Sequence, residues 1–194
     1  YGNTPPAVGI DFFEGPYLDN DNEDNPIYKE EADDAGPAVS LAEVFERDGI
    51  PYKGLGIGYG DGVIDNERFG MSRFVFFDRL TPPYNDPNNA TDYYNYLRGI
   101  WKTGATMNFG GNGHGTSSGV PTKFMFPGDS DPLGWGTYPA PLPSTDPWSD
   151  LSEGNPPGDR RFAQSAGPFT LKPGAVNNIT VGVVVAQSSD TDLE

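Results

Sequence analysis

The chain has no cysteine and a single histidine among 194 residues. The first absence excludes a disulfide framework and any Cys-ligated zinc centre, and the second leaves too few donors for a catalytic zinc site of the usual kind. Positive charge is also scarce, with 12 Lys and Arg against 28 Asp and Glu and a formal charge of −16. Such a surface repels a nucleic-acid backbone or an anionic membrane and favours cations, neutral glycans or proteins as partners. No run approaches the roughly 18 consecutive apolar residues of a membrane span, so direct membrane insertion is not expected. The opening residues Tyr1-Gly2-Asn3-Thr4-Pro5-Pro6 have neither the basic nor the apolar stretch of a signal peptide. With no initial Met and a polar end from Ser188 to Glu194, the sequence reads as an internal piece of a larger chain.

Glycine and proline are plentiful, at 26 and 20 residues, and that composition approaches the disordered range. Aromatic residues make up 13% of the chain, however, which is the content of a chain that packs. One β-rich domain over residues 1–194 is the economical reading, with an acidic, loop-rich part over 1–70 and a helix plus β core over 71–194.

Two acidic segments carry the most specific chemistry. In Asp19-Asn20-Asp21-Asn22-Glu23-Asp24-Asn25 and Gly60-Asp61-Gly62-Val63-Ile64-Asp65-Asn66-Glu67, closely spaced carboxylates sit in Asn- and Gly-rich loops. That spacing turns several hard oxygens toward one point, as a calcium ion with six to eight oxygen ligands requires. The candidate ligands are Asp19, Asp21 and Asp24 in the first loop and Asp61, Asp65 and Glu67 in the second, with Asn20, Asn22 or Asn25 able to add amide oxygens. Asp61-Gly62-Val63-Ile64-Asp65 resembles the rhythm of calcium loops in dockerins and thrombospondin type 3 repeats. Neither loop has the complete EF-hand pattern, which counts against two independent strong sites and leaves one shared site open. The bland alternative is a pair of solvated acidic turns.

The local pattern predicts mostly strands. Ile10 to Phe13, Met71 to Phe77, Arg161 to Ser165, Gly167 to Leu171 and Asn178 to Val185 read as strands separated by Gly and Pro turns, spaced as in a sandwich or meander. In the last of these Val181, Val183 and Val185 share one face, and the run is apolar enough for a central strand. Ser40-Leu41-Ala42-Glu43 has capping-box spacing for a short helix over 40–47. One amphipathic helix is expected over about 90–102, capped by Asn89 and Asp92, with Tyr93, Tyr94, Leu97, Ile100 and Trp101 as its core stripe. Long Gly/Pro-rich loops connect these elements, the longest over 103–157. The expected architecture is therefore mainly β, a β-sandwich-like domain with one helix.

Several blocks also carry a family resemblance. Gly9-Ile10-Asp11-Phe12-Phe13-Glu14-Gly15-Pro16-Tyr17, the segment Asp65 to Met71, the segment Asp92 to Lys102, Phe124 to Asp129 and Gly158 to Phe169 together resemble a domain of very large exported proteins of Bacteroidota, similar to cargo of the type IX secretion system. The resemblance runs through nearly the whole chain. It implies a secreted or cell-surface protein and carries over no catalytic residues.

Other reactive residues have bland readings. His114 lies in a glycine-rich segment with Ser117 nearby and Ser165 further on, but no Gly-x-Ser-x-Gly elbow is present, so a loop-packing role is expected. With 28 acidic residues, some close carboxylate pair arises in any fold and does not indicate a glycosidase. Asp159-Arg160-Arg161 is expected to form a bidentate ion pair that locks the Pro-Pro-Gly turn, with ligand recognition as the alternative. No catalytic residues are assigned. The sequence thus points to a non-catalytic, calcium-stabilised structural or adhesion module of an exported surface protein, with neighbouring domains or other surface proteins as partners. The alternative is a glycan-binding or glycan-processing domain that uses Trp135, Tyr138 and Trp148 as stacking faces.

Overall fold

A computed structural model describes residues 6–18, 20–29, 38–51, 55–114, 119–156 and 158–187. Among them the chain is mainly β. Four strands and two helices follow in the order β1 (Pro6–Glu14), α1 (Leu41–Glu46), β2 (Arg73–Asp78), α2 (Ala90–Leu97), β3 (Arg160–Ser165) and β4 (Thr180–Gln187). The strands pair as two antiparallel two-stranded sheets, β1 with β4 and β2 with β3. No described helix is long and apolar enough to cross a membrane. The chain divides into two compact units, one made of Tyr1–Gly70 with Gly167–Glu194 and the other of Met71–Ala166.

In the first unit, β1 and β4 pair with Val8 opposite Val185, Ile10 opposite Val183 and Phe12 opposite Val181. Val181, Val183 and Val185 share a face, as the alternation predicts. The ribbon nevertheless has no third strand among the described residues, and these three valines are exposed rather than central. The register shifts between Phe12 and Glu14, a bulge that places an extra residue, Phe13, on the β1 side. A Cβ at Gly182 would come within 2.4 Å of the Phe13 ring, so a larger residue there displaces that ring. The small core of this unit gathers Leu18, Ile50 and Tyr59, flanked by Ile27 and Phe69. Helix α1 forms where its cap predicts. Ser40 accepts the Glu43 N–H at 3.2 Å, and the one buried helix residue, Val44, is fully covered.

The second unit is built on β2. Val75, Phe76 and Phe77 are consecutive and all buried, so both faces of this strand are covered. Opposite them on β3 stand Ala163, Phe162 and Arg161. Lys123 to Met125 adds a short parallel contact, in which the Phe74 N–H donates to the Lys123 carbonyl and the Met125 N–H to the Phe74 carbonyl, both at 3.1 Å.

Helix α2 starts as expected, with Asn89 accepting the Asp92 N–H at 3.1 Å, but it ends at Leu97 with Arg98 as its cap, well short of 102. Gly99 at φ +70° turns the chain out of the helix. The buried helix face is accordingly Asp92 and Tyr96. Tyr93, Tyr94 and Leu97 are 59%, 62% and 46% exposed, which corrects the expected stripe. Trp101 is buried, as expected, but reaches the core from the turn beyond the helix, packing edge-on against Tyr96 at 5.9 Å.

Candidate functional site

The two acidic segments meet and interlock within the first unit. The Asn22 N–H donates to Asp65 Oδ1 at 3.0 Å, and the Asp65 N–H returns a bond to the Glu23 carbonyl at 3.1 Å. Asn22 and Asp65 both have positive φ, 64° and 56°, a conformation Asn and Asp tolerate better than most residues. Asp24 holds the glycine-rich turn of the second loop with both oxygens, accepting Gly60 N–H at 2.7 Å and Gly62 N–H at 2.8 Å. Asn25 donates its N–H to Glu67 Oε1 at 2.7 Å. Asp21 and Asp61 each accept the N–H two residues onward, from Glu23 and Val63, at 2.8 Å.

Five of the six expected ligands, Asp21, Asp24, Asp61, Asp65 and Glu67, therefore lie on one pair of cross-linked loops. Asp19 lies outside the described residues. Asn25 and Glu67 are each 1% exposed. Burial pushes the Glu67 carboxyl above its ordinary value, the N–H groups of Asn25 and of Glu67 itself pull it back, and the negative charges of Asp24 and Asp21 add to the rise. Arg47 sets positive charge against this cluster, its Nε 3.3 Å from Glu23 Oε2 and its NH2 donating to the Asp24 carbonyl at 3.0 Å. Among the described residues no three His, Cys, Asp or Glu side chains converge closely enough to hold a metal ion by themselves. The donor set is hard oxygen throughout, which fits calcium chemistry, and any ion here needs neutral oxygens besides the carboxylates.

A buried clamp that sequence reasoning missed lies next in the chain. Arg68 Nε is 3.3 Å from Glu14 Oε1 at the β1 bulge, its NH2 donates to the Asn178 carbonyl at 2.8 Å, and its guanidinium covers the Tyr17 ring at 4.2 Å. The one available signal was an arginine directly following a ligand-type glutamate in a chain short of cations.

In the second unit, His114 packs among aromatics. Its ring stacks on Tyr84 and Phe76 and meets Trp101 edge-on. Nε2 is buried without a hydrogen bond, 3.7 Å from Asp78 Oδ2. Asp78 is engaged by Leu80 N–H, Thr81 N–H and the Thr81 hydroxyl, each at 2.7 Å. Ser117 lies outside the described residues, and the Ser165 hydroxyl donates to the Leu97 carbonyl at 2.6 Å. The expected bidentate pair is present, with Arg161 Nε and NH2 on the two oxygens of Asp159 at 3.2 and 2.9 Å and NH1 reaching Asp86 at 2.6 Å. Arg160 hydrogen-bonds the Pro156 carbonyl.

The aromatics named for glycan stacking are packed. Trp148 is buried and donates Nε1 to the Gly111 carbonyl at 2.8 Å, while Trp135, half-buried, packs on Phe124 with the Lys123 ammonium over its ring. Tyr138 is half-buried as well.

Comparison with protein-family models, with curated proteins and with solved structures finds no match to this chain.

Proposed function

We propose that this chain is a non-catalytic, calcium-stabilised structural or adhesion module of a large exported cell-surface protein. The observation that carries the reading is the interlocking of the two acidic loops. Asp24, Asp65 and Glu67 cross-link the loops that also carry Asp21 and Asp61, and the Arg47 guanidinium faces them. Like charges held on adjacent loops repel one another, and calcium takes oxygen ligands of this kind.

Two further features support the structural side of the reading. The single histidine is packed into an aromatic cluster, and Trp148 and Trp135 are engaged in packing rather than presented as flat faces for a sugar. A sandwich-like packing of antiparallel strands, as in many cell-surface domains, belongs to the same proposal, as do export, the family resemblance and partnership with neighbouring domains of the same polypeptide. Thermal unfolding with calcium and with chelator tests it. Calcium at 100 times its Kd stabilises by about 2.7 kcal/mol, which raises the melting temperature of a chain of this size by roughly 5 to 10 °C. Superimposable melts would overturn the proposal.

A further inference from the structure

The two acidic loops repeat one local design. In the first, Asp21 accepts the Glu23 N–H at Oδ1 (2.8 Å) and the Asn25 side-chain nitrogen at Oδ2 (3.3 Å). In the second, Asp61 accepts the Val63 N–H at Oδ1 (2.8 Å) and the Asn66 side-chain nitrogen at Oδ2 (3.0 Å). In both, the nitrogen of an asparagine amide is turned to an aspartate of its own loop. The amide oxygens, Asn25 Oδ1 and Asn66 Oδ1, are left buried with no hydrogen-bond donor.

Asn25 is the sharper case. It is 1% exposed and sits between members of both loops, its N–H on Glu67 and its amide nitrogen on Asp21 and on the Arg47 carbonyl at 2.5 Å. Those two bonds fix which end of the amide is nitrogen, so the orphaned atom is the oxygen. A buried acceptor without a donor is costly and calls for a donor or a cation at each of the two oxygens. Arg47 does not supply it, since its nitrogens are directed to Glu23, Glu43 and the Asp24 carbonyl.

We infer that Asn25 Oδ1 and Asn66 Oδ1 are calcium ligands, the neutral oxygens that complete a site the carboxylates cannot form by themselves. The inference rests on the calcium reading above and identifies atoms within it. Calcium accepts amide oxygens beside carboxylates at flexible coordination number, whereas magnesium demands a near-ideal octahedron and keeps much of its water. Each asparagine is oriented by an aspartate that is itself held by a backbone N–H.

Isothermal titration of the full chain with calcium chloride tests the assignment. Asn66→Ala and Asn25→Ala should each weaken calcium binding by about tenfold or more, with cooperative melts in chelator showing that the variants fold. If Asn25→Ala fails to fold, Asn66→Ala still decides the matter. Parent-like affinity in Asn66→Ala, or in a folded Asn25→Ala, would overturn the ligand assignment and leave the calcium reading standing. A parent chain that takes up no calcium would overturn both.

Discussion

The ring of Tyr84 lies 1° from parallel with that of His114, their centroids 5.3 Å apart. Burial in this stack lowers the His114 imidazole below its ordinary value of 6.5; Asp78 and Asp150 pull it upward and Arg160 downward, and burial prevails. The unfolded chain therefore takes up its proton at higher pH than the folded chain. The group leaves stability untouched above about pH 6.5 and lowers it progressively as pH falls from there toward the folded value. Denaturant titrations between pH 7.5 and 5 should show this decline, and His114→Gln should flatten it. An unchanged slope in the variant would assign the pH dependence to other groups.

Two arginine pairs separate buried from surface electrostatics. The Arg68 side chain is 6% exposed and its partner Glu14 is 32% exposed, whereas Arg161 is 41% exposed. Arg68→Ala removes an ion pair, the bond to the Asn178 carbonyl and the Tyr17 contact together. Because Glu14 keeps part of its hydration, a loss near the lower end of the broken-buried-pair range, about 3 kcal/mol, is expected. Arg161→Ala should melt close to the parent despite its shorter distances. Equal effects from the two variants would contradict this ordering.

The face of α2 can be checked by a pair of tyrosines. Tyr96 donates its hydroxyl to the Asn85 carbonyl at 2.6 Å from a buried position, while Tyr94 is largely exposed. Tyr96→Phe should cost about 1 kcal/mol through the lost bond. Tyr94→Ala should stay within about 0.5 kcal/mol of the parent. Chemical denaturation measures both, and the reverse ordering would restore the stripe expected from periodicity.

Asp24 distinguishes loop architecture from metal binding. Its two oxygens hold Gly60 and Gly62, and hydrogen bonds to a charged acceptor contribute about 1.5 to 3 kcal/mol each. Asp24→Ala should therefore lower stability by about 2 kcal/mol or more even in chelator. A variant indistinguishable from the parent without calcium would limit Asp24 to a metal ligand.

Legibility followed distance along the chain. The Ser40 and Asn89 caps, the alternation in β4 and the Asp159–Arg161 pair depend on neighbours a few residues away, and each was readable. The α2 face was misjudged because the 3.6-residue period was carried through Gly99, where the chain leaves the helix at positive φ. The acidic loops were recognisable as loops, but their cross-links were not. Nothing local specifies that Asn22 meets Asp65 or that Asn25 meets Glu67, and the orphaned amide oxygens follow from those meetings. Arg68 was missed for the same reason, since its partners lie at Glu14, Tyr17 and Asn178.

The pairing of Pro6 with Gln187 sets an order of events during synthesis. Residues 71–166 form an uninterrupted unit, which can pack as soon as that stretch has left the ribosome. The unit holding the acidic loops is split around it in sequence, and among the described residues β1 pairs with β4 alone. Contacts this distant in sequence close large loops and form slowly. β1 therefore waits for β4, and its apolar alternation stays open to wrong partners until that strand has been made.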